Sequence, residues 1–282
     1  MTIRSASGNT LLSLHTAWPD ELGRPVQFAG YTVLFLANGT GVFHADFGAF
    51  RYEGPTLLFA TPTQVIYLQQ DIPAPFAMLQ FHGDFYCIEY HRAEVACNGL
   101  LFNNIYIEPT MALSADAMSV FQQLLLQLEN ELNQPAPADI VLRAYLQLLL
   151  AKCSSIKAST PALVLPPQDE AMEHFRTLLE AHYLTLHKPS DYAELLAMAP
   201  NTFTKRCTRY FKKTPSQLIQ ERLILEAKKQ LHLTRRSIKE IAHALKFEDE
   251  YYFSRVFKKF TNHSPQAFRD SVGISIVADL SS

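Results

Sequence analysis

The sequence predicts an α+β chain of two domains. An antiparallel β sandwich or barrel with a pair of helices comes first, and an all-α domain holding two helix-turn-helix units follows. Three observations carry this: short β-branched and aromatic runs up to about residue 110, a change to helical periodicity near Ser114, and a helix-turn-helix pattern that occurs twice near the C-terminal end.

Composition sets the outer bounds. The chain has 282 residues, enough for two cores, and a net charge of −2. That charge is unevenly spread. Residues Met1 to Pro167 hold seven Lys and Arg against thirteen Asp and Glu, whereas Pro200 to Arg269 hold sixteen against six, a net of +10. The basic charge sits on the helical repeat, as a nucleic-acid footprint would. The four cysteines, Cys87, Cys97, Cys153 and Cys207, form no CxxC pair and read as reduced thiols. No segment approaches the roughly 20 apolar residues of a membrane span, and the first twenty residues lack a signal-peptide core. A soluble, cytoplasmic protein without membrane contact is expected.

In chain order, the first twenty residues carry no readable period. Strands are expected at Tyr31 to Leu36, Val42 to Tyr52, Thr56 to Phe59, Val65 to Leu68 and Phe76 to Phe81, with Asn38-Gly-Thr-Gly41 as a turn. Phe28, Tyr31, Phe35, Phe43, Phe47, Phe50 and Tyr67 fill this segment with rings. Most must be core, and a barrel of this size can also enclose one small molecule. No single residue stands out as a ligand contact. A metal site is poorly supplied: His44 is followed by Ala45 and Asp46, with only Glu53 near it. His82, Cys87, His91 and Cys97 are four borderline ligands whose spacing matches no zinc pattern. Neither metal nor other cofactor is expected.

From Ser114 the apolar residues Leu113, Ala117, Val120, Phe121, Leu124, Leu125, Leu128 and Leu132 recur at helical spacing. Asn133-Gln-Pro-Ala-Pro137 interrupts, and a second helix runs from Ile140 to Lys152 with Val141, Tyr145, Leu148 and Leu149 on one face. These faces can cover the barrel, and their width also leaves area for a second copy. Cys153 to Asp169 has no period and reads as a linker. The resulting division is 1–158, with the barrel at about 20–110 and the helices at about 112–153, then a linker at 159–168 and a helical domain at 169–270.

The helical domain is the most legible part. Ser237 with Glu240 forms a capping box, so a helix starts at Ile238 and buries Ile241, Ala242 and Leu245. A second helix runs from about Asp249 to Lys259, burying Tyr252, Phe253, Val256 and Phe257, and Ser264-Pro265 opens one more short helix. About fifty residues earlier, Ala193, Leu196 and Met198 match Ala242, Leu245 and Phe247. Phe203, Lys205, Cys207, Thr214 and Pro215 then match Phe253, Arg255, Phe257, Ser264 and Pro265, with one extra residue at the second turn. Thr214, Pro215 and Gln217 start a connecting helix through about Leu231.

On these residues, Glu170 to Arg269 resembles the double helix-turn-helix domain of the AraC/XylS transcription regulators. The connecting segment Thr214 to Lys229, Ile238-Lys-Glu-Ile-Ala242 and Tyr252-Phe-Ser-Arg255 carry the likeness. The resemblance implies an N-terminal cupin-like or jelly-roll barrel that binds a small-molecule effector, a homodimer formed through the helical pair, RNA polymerase as a partner, and no catalysis. It implies recognition helices at about Pro200–Tyr210 and Asp249–Lys259 lying in two successive major grooves of double-stranded DNA. Asn201, Thr204 and Lys205, and Glu250, Tyr251, Ser254 and Arg255, would face the bases. Thr208, Arg209, Lys212, Lys213, Lys258 and Lys259 would face phosphates. The family usually has glycine in the helix-turn-helix turn, where this chain has Ala197 and Lys246. A cupin-type metalloenzyme fused to a DNA-binding domain, or an architectural DNA binder without sequence preference, are the competing readings.

Overall fold

The computed structural model describes residues 2–5, 10–16, 20–46, 48–72, 76–86, 101–102, 105–159 and 169–274. The chain divides into two compact units, with the boundary after Ser159. Each is taken by itself.

The first unit contains ten strands, a single 3₁₀ turn at Asp20–Gly23 and two helices among the described residues. The strands are β1 (Thr2–Arg4), β2 (Thr10–His15), β3 (Val26–Gln27), β4 (Tyr31–Leu36), β5 (Thr40–Ala45), β6 (Gly48–Glu53), β7 (Thr56–Ala60), β8 (Val65–Ile72), β9 (Phe76–Phe81) and β10 (Thr110–Ala112). They form a six-stranded sheet in the order β1-β2-β9-β4-β7-β10 and a four-stranded sheet in the order β3-β8-β5-β6. Every described pairing is antiparallel.

Burial explains why β4 and β7 read as unbroken apolar runs. Alternate residues Leu34, Leu36, Leu58 and Ala60 meet Phe43, Tyr52, Ile66 and Leu68 of the smaller sheet. Their neighbours Val33, Phe35, Leu57 and Phe59 face α1 (Ala115–Leu132) and α2 (Asp139–Ser159). A strand buried on both faces has no polar side to alternate.

Four expectations are corrected here. The N-terminal stretch forms β1 and β2, and β2 pairs with β9 by placing Leu12 opposite Phe81. Val42 to Tyr52 is a hairpin of β5 and β6 and not one strand. Asp46 at its tip has φ 51°, and its carboxylate accepts a hydrogen bond from the Val65 amide at 3.0 Å. Aspartate tolerates this left-handed backbone because its side chain hydrogen-bonds locally. Cys153 to Ser159, expected in the linker, continues α2. Finally, α2 buries Leu142, Leu146, Leu149, Leu150 and Cys153, while Val141 and Leu148 of the expected apolar face stay exposed. The helix therefore has two apolar stripes, of which one covers the sheet.

The second unit has seven helices among its described residues: α3 (Glu170–His182), α4 (Pro189–Leu195), α5 (Pro200–Phe211), α6 (Pro215–Leu233), α7 (Ile238–Ala244), α8 (Glu250–Thr261) and α9 (Pro265–Val272). Their boundaries are set by short-range chemistry. Thr214 and Ser237 both close capping boxes, with Gln217 and Glu240. Asp249 caps α8 by accepting from the Tyr252 amide at 2.6 Å, and Ser264 caps α9 through the Ala267 amide at 3.1 Å. Each such cap contributes about 1 kcal/mol. No helix of the described residues is long and apolar enough to cross a membrane.

Candidate nucleic-acid interface

The repeat seen in the sequence is a repeat of backbone geometry. After α4, the Met198 amide donates to the Ala193 carbonyl at 2.9 Å and the Ala197 amide to the Glu194 carbonyl at 2.9 Å. After α7, the Phe247 amide donates to Ala242 at 3.0 Å and the Lys246 amide to His243 at 3.0 Å. This paired pattern is the Schellman helix end, which places one residue in the left-handed region. Ala197 has φ 50° and Lys246 has φ 60°. Thus the backbone keeps the turn for which glycine is the usual residue and bears a strain on the order of 1 kcal/mol at each unit.

The extra residue of the second turn is Glu248. In the first unit Met198 ends the turn and Ala199 is already the N-cap of α5, whereas Phe247 and the N-cap Asp249 have Glu248 between them. Beyond this point the correspondence resumes. Both α5 and α8 have twelve residues, and both end on a left-handed C-cap, Lys212 at φ 57° and Asn262 at φ 60°. The connecting α6 runs nineteen residues, about 28 Å. It carries Leu218, Ile219, Leu223, Ile224, Ala227 and Leu231 into the core between the units.

Helices α5 and α8 each turn two residues firmly inward. Phe203 and Cys207 on α5, and Phe253 and Phe257 on α8, are fully buried. Asn201, Thr204, Lys205, Thr208 and Arg209 are exposed on α5, as are Tyr251, Arg255, Lys258 and Lys259 on α8; Glu250 and Ser254 are partly exposed. The spacing of Asn201, Thr204, Lys205 and Thr208 equals that of Tyr251, Ser254, Arg255 and Lys258, one continuous face of each helix. Tyr252, expected in the core, is 48 % exposed. Phe253, Phe257 and Thr261 are the buried residues of this helix, with Val256 and Phe260 packed beside them, and Tyr252 lies at the edge of that stripe.

The cations sort into two groups. Arg206 pairs with Asp169, Lys213 with Glu221 at 2.6 Å, Arg176 with Glu173 at 2.6 Å, and Arg222 with Glu180 at 2.9 Å. The Arg269 guanidinium donates to the Leu231 and Arg236 carbonyls. These groups hold the domain together, so Lys213, expected at a phosphate, is partly committed to Glu221. By contrast, Lys205, Arg209, Lys212, Arg255, Lys258 and Lys259 form no ion pair among the described residues, and all are exposed. A cation without a partner carboxylate keeps its full charge available to a phosphate or a guanine edge.

One part of the site escaped the sequence reading. Arg206 Nε donates to Asp169 at 2.9 Å and the Tyr210 hydroxyl donates to Glu173 at 2.8 Å. The Arg206 guanidinium holds the Asp169 carboxyl below its ordinary range, while burial and the bond to Glu173 push the Tyr210 hydroxyl up to about 12. Asp169 and Glu173 are four residues apart on one helix, and so are Arg206 and Tyr210 on the other. That matched spacing was the signal available in the sequence.

In the N-terminal unit, His44 stacks on Tyr67 with ring centroids 4.0 Å apart, and Glu53 lies opposite Thr40, four residues along the hairpin from His44. The strands therefore do not bring His44 and Glu53 together. His82 is buried beside Asp84, whose carboxylate lies 3.4 Å from its Nδ1; Cys87, His91 and Cys97 lie outside the described residues. Among the described residues there is no cluster of three or more potential metal ligands.

Comparison with known proteins places the repeat. A family model described as a helix-turn-helix domain matches residues 192–271. The raffinose operon transcriptional regulatory protein RafR of Pediococcus pentosaceus is 31% identical over 93 residues, 33% of this chain and 29% of that protein, so the match spans under a third of its length. The arabinose operon regulatory protein of Salmonella typhimurium is 28% identical over 251 residues, 88% of this chain and 86% of that protein. Among solved structures, ToxT from Vibrio cholerae O395 aligns over 93% of this chain and 96% of its own, with 14% identity and a TM-score of 0.44. The family model and the repeated turns agree on the same stretch: residues 192–271 form a helix-turn-helix domain, and the chain is similar there to regulators of sugar operons.

Proposed function

We propose that this protein is a sequence-specific transcription regulator, not an enzyme, that reads two successive major grooves with α5 and α8 of one chain. The carrying observation is the pair of matched exposed faces, each offering a cation with no carboxylate partner two positions after a buried phenylalanine. Asn201, Thr204 and Lys205 read bases in the first unit, and Glu250, Tyr251, Ser254 and Arg255 read them in the second. Thr208, Arg209, Lys212, Lys258 and Lys259 hold phosphates. The division into a 1–158 effector domain, a 159–168 linker and a 169–270 DNA-binding domain belongs to this reading.

Control by a small molecule in the N-terminal barrel is part of the proposal. It rests on the resemblance to the AraC/XylS regulators and on the ring-rich facing sheets, whose buried residues Phe43, Tyr52 and Leu68 meet Leu34, Leu36 and Leu58. Homodimerisation is supported by the second apolar stripe of α2, where Ile140, Val141, Ala144, Tyr145 and Leu148 line a shallow groove and Ile140 is 79 % exposed. A cytoplasmic location and contact with RNA polymerase follow from a regulator's task.

The test is selection of binding sites from a random DNA library at fixed near-physiological salt. Two enriched blocks about ten base pairs apart, one relaxed by Lys205→Ala and the other by Arg255→Ala, support the proposal. Binding that enriches no motif and disappears as salt rises returns the architectural reading. Leu148→Glu is expected to convert a dimer to a monomer in sedimentation. An unchanged mass would remove α2 from the interface.

A further inference from the structure

Resting on the reading of α8 as a base-reading helix, we infer that Tyr252 is a positioning residue: its ring holds the Arg255 guanidinium in place, so that the second unit discriminates a single base pair more sharply than the first. The Arg255 guanidinium carbon lies 5.8 Å from the Tyr252 ring centroid, within the range of a cation–π contact. No carboxylate among the described residues holds Arg255, unlike Arg206 or Arg222. The ring is itself held on one side by Phe247, which closes the preceding turn and lies 6.0 Å away centroid to centroid at 55°, while Asp249 fixes the backbone of Tyr252 by accepting from its amide. Phe247 in turn packs on buried Phe253 at 5.2 Å. A row of rings thus runs from the core to the guanidinium.

The first unit has no such row. Fifty positions earlier Tyr252 is matched by Thr202 and Arg255 by Lys205, an ammonium on a flexible stem with no ring against it among the described residues. A guanidinium fork can grip a guanine edge at two points, and holding the fork before binding lowers the entropy lost on contact. The base that suits such a fork is a guanine, in the major groove under the N-terminal half of α8.

The test uses the full-length protein and a random-sequence DNA duplex library, followed by titration of the enriched duplex and of single-base variants. Tyr252→Ala is expected to reduce discrimination about two- to fivefold at the one base pair that Arg255→Ala relaxes. Tyr252→Phe, which keeps the ring, should restore it. The double variant should match Arg255→Ala alone, and the slope of affinity against salt should be the same in Tyr252→Ala as in the parent, since no phosphate contact is lost. The inference is overturned if the two single effects add, or if Tyr252→Ala alters a different base pair. If Arg255→Ala relaxes a base pair and Tyr252→Ala changes nothing, the positioning role alone is wrong. If Arg255→Ala relaxes none, the assignment of α8 fails with it.

Discussion

The two helix-turn-helix units share a backbone and differ in what holds their second helices, α5 and α8. In the first, α5 is fastened to α3 by polar bonds, Arg206 to Asp169 and Tyr210 to Glu173, over a core in which the small Cys207 occupies a central place. In the second, α8 rests on rings: Phe257 packs against Phe253 at 5.8 Å and edge-on to Phe268 at 5.5 Å. Both helices are thus seated by buried phenylalanines, Phe203 lying edge-on to Phe175 of α3 at 4.9 Å in the first unit, but only α5 adds ion pairing among the described residues. The first should respond to acid as well as to loss of volume, the second to loss of volume.

The largest expected effect tests the apolar side. Phe257→Ala should cost about 3 to 5 kcal/mol, because it removes a fully buried ring, whereas Cys207→Ala at the matched position should cost on the order of 1 kcal/mol. Urea denaturation of both variants measures this, and equal losses would break the comparison. Next comes the polar side. Asp169→Ala should cost about 1 to 2 kcal/mol, since Arg206 is 37 % exposed and water takes over much of its pairing. The wild-type carboxyl titrates below its ordinary range because Arg206 bonds to it. Its contribution is thus fully present above the ordinary carboxylate pKa and is lost as pH falls through the folded value. Acid should loosen α5 before α8, which amide exchange along the two helices can follow. Cys207 supplies a second reporter: burial pushes its thiol up to about 12, so alkylation should proceed only as the first unit opens. The smallest effect sharpens the likeness between the units. Ala197→Gly and Lys246→Gly should each raise stability by roughly 0.5 kcal/mol, the relief of a left-handed backbone less the entropy that glycine adds to the unfolded chain. A loss in either thermal melt would mean that the side chain serves a contact there.

The features readable in advance were those whose physics is local. Capping boxes at Thr214 and Ser237, proline at the start of α6 and α9, and the left-handed places at Ala197 and Lys246 all depend on residues within six positions of each other, and the helix boundaries followed. Strand β2 was invisible because TLLSLH makes sense only against β9, more than sixty residues on. The hairpin between β5 and β6 was missed because Asp46, in place of glycine, takes the turn. On α8, period alone put Tyr252 beside Phe253 on the buried side. How wide that side is depends on the partners α7 and α9, which periodicity does not contain. The bond from Asp169 to Arg206 spans thirty-seven residues and two helices, so only the matched four-residue spacings hinted at it.

If α5 and α8 read two grooves as proposed, the unbroken α6 has a consequence for the history of the target DNA. A helix of nineteen residues joined by its core face to both units cannot lengthen or shorten to follow a changed target. An operator that gains one base pair between its two blocks carries the second block about 3.4 Å along the duplex and roughly a tenth of a turn around it. Point changes within a block can accumulate singly, each weakening one contact. Insertions and deletions between the blocks would sever a whole unit at once, so on the proposed reading the set of sites would drift in letters and stay fixed in length.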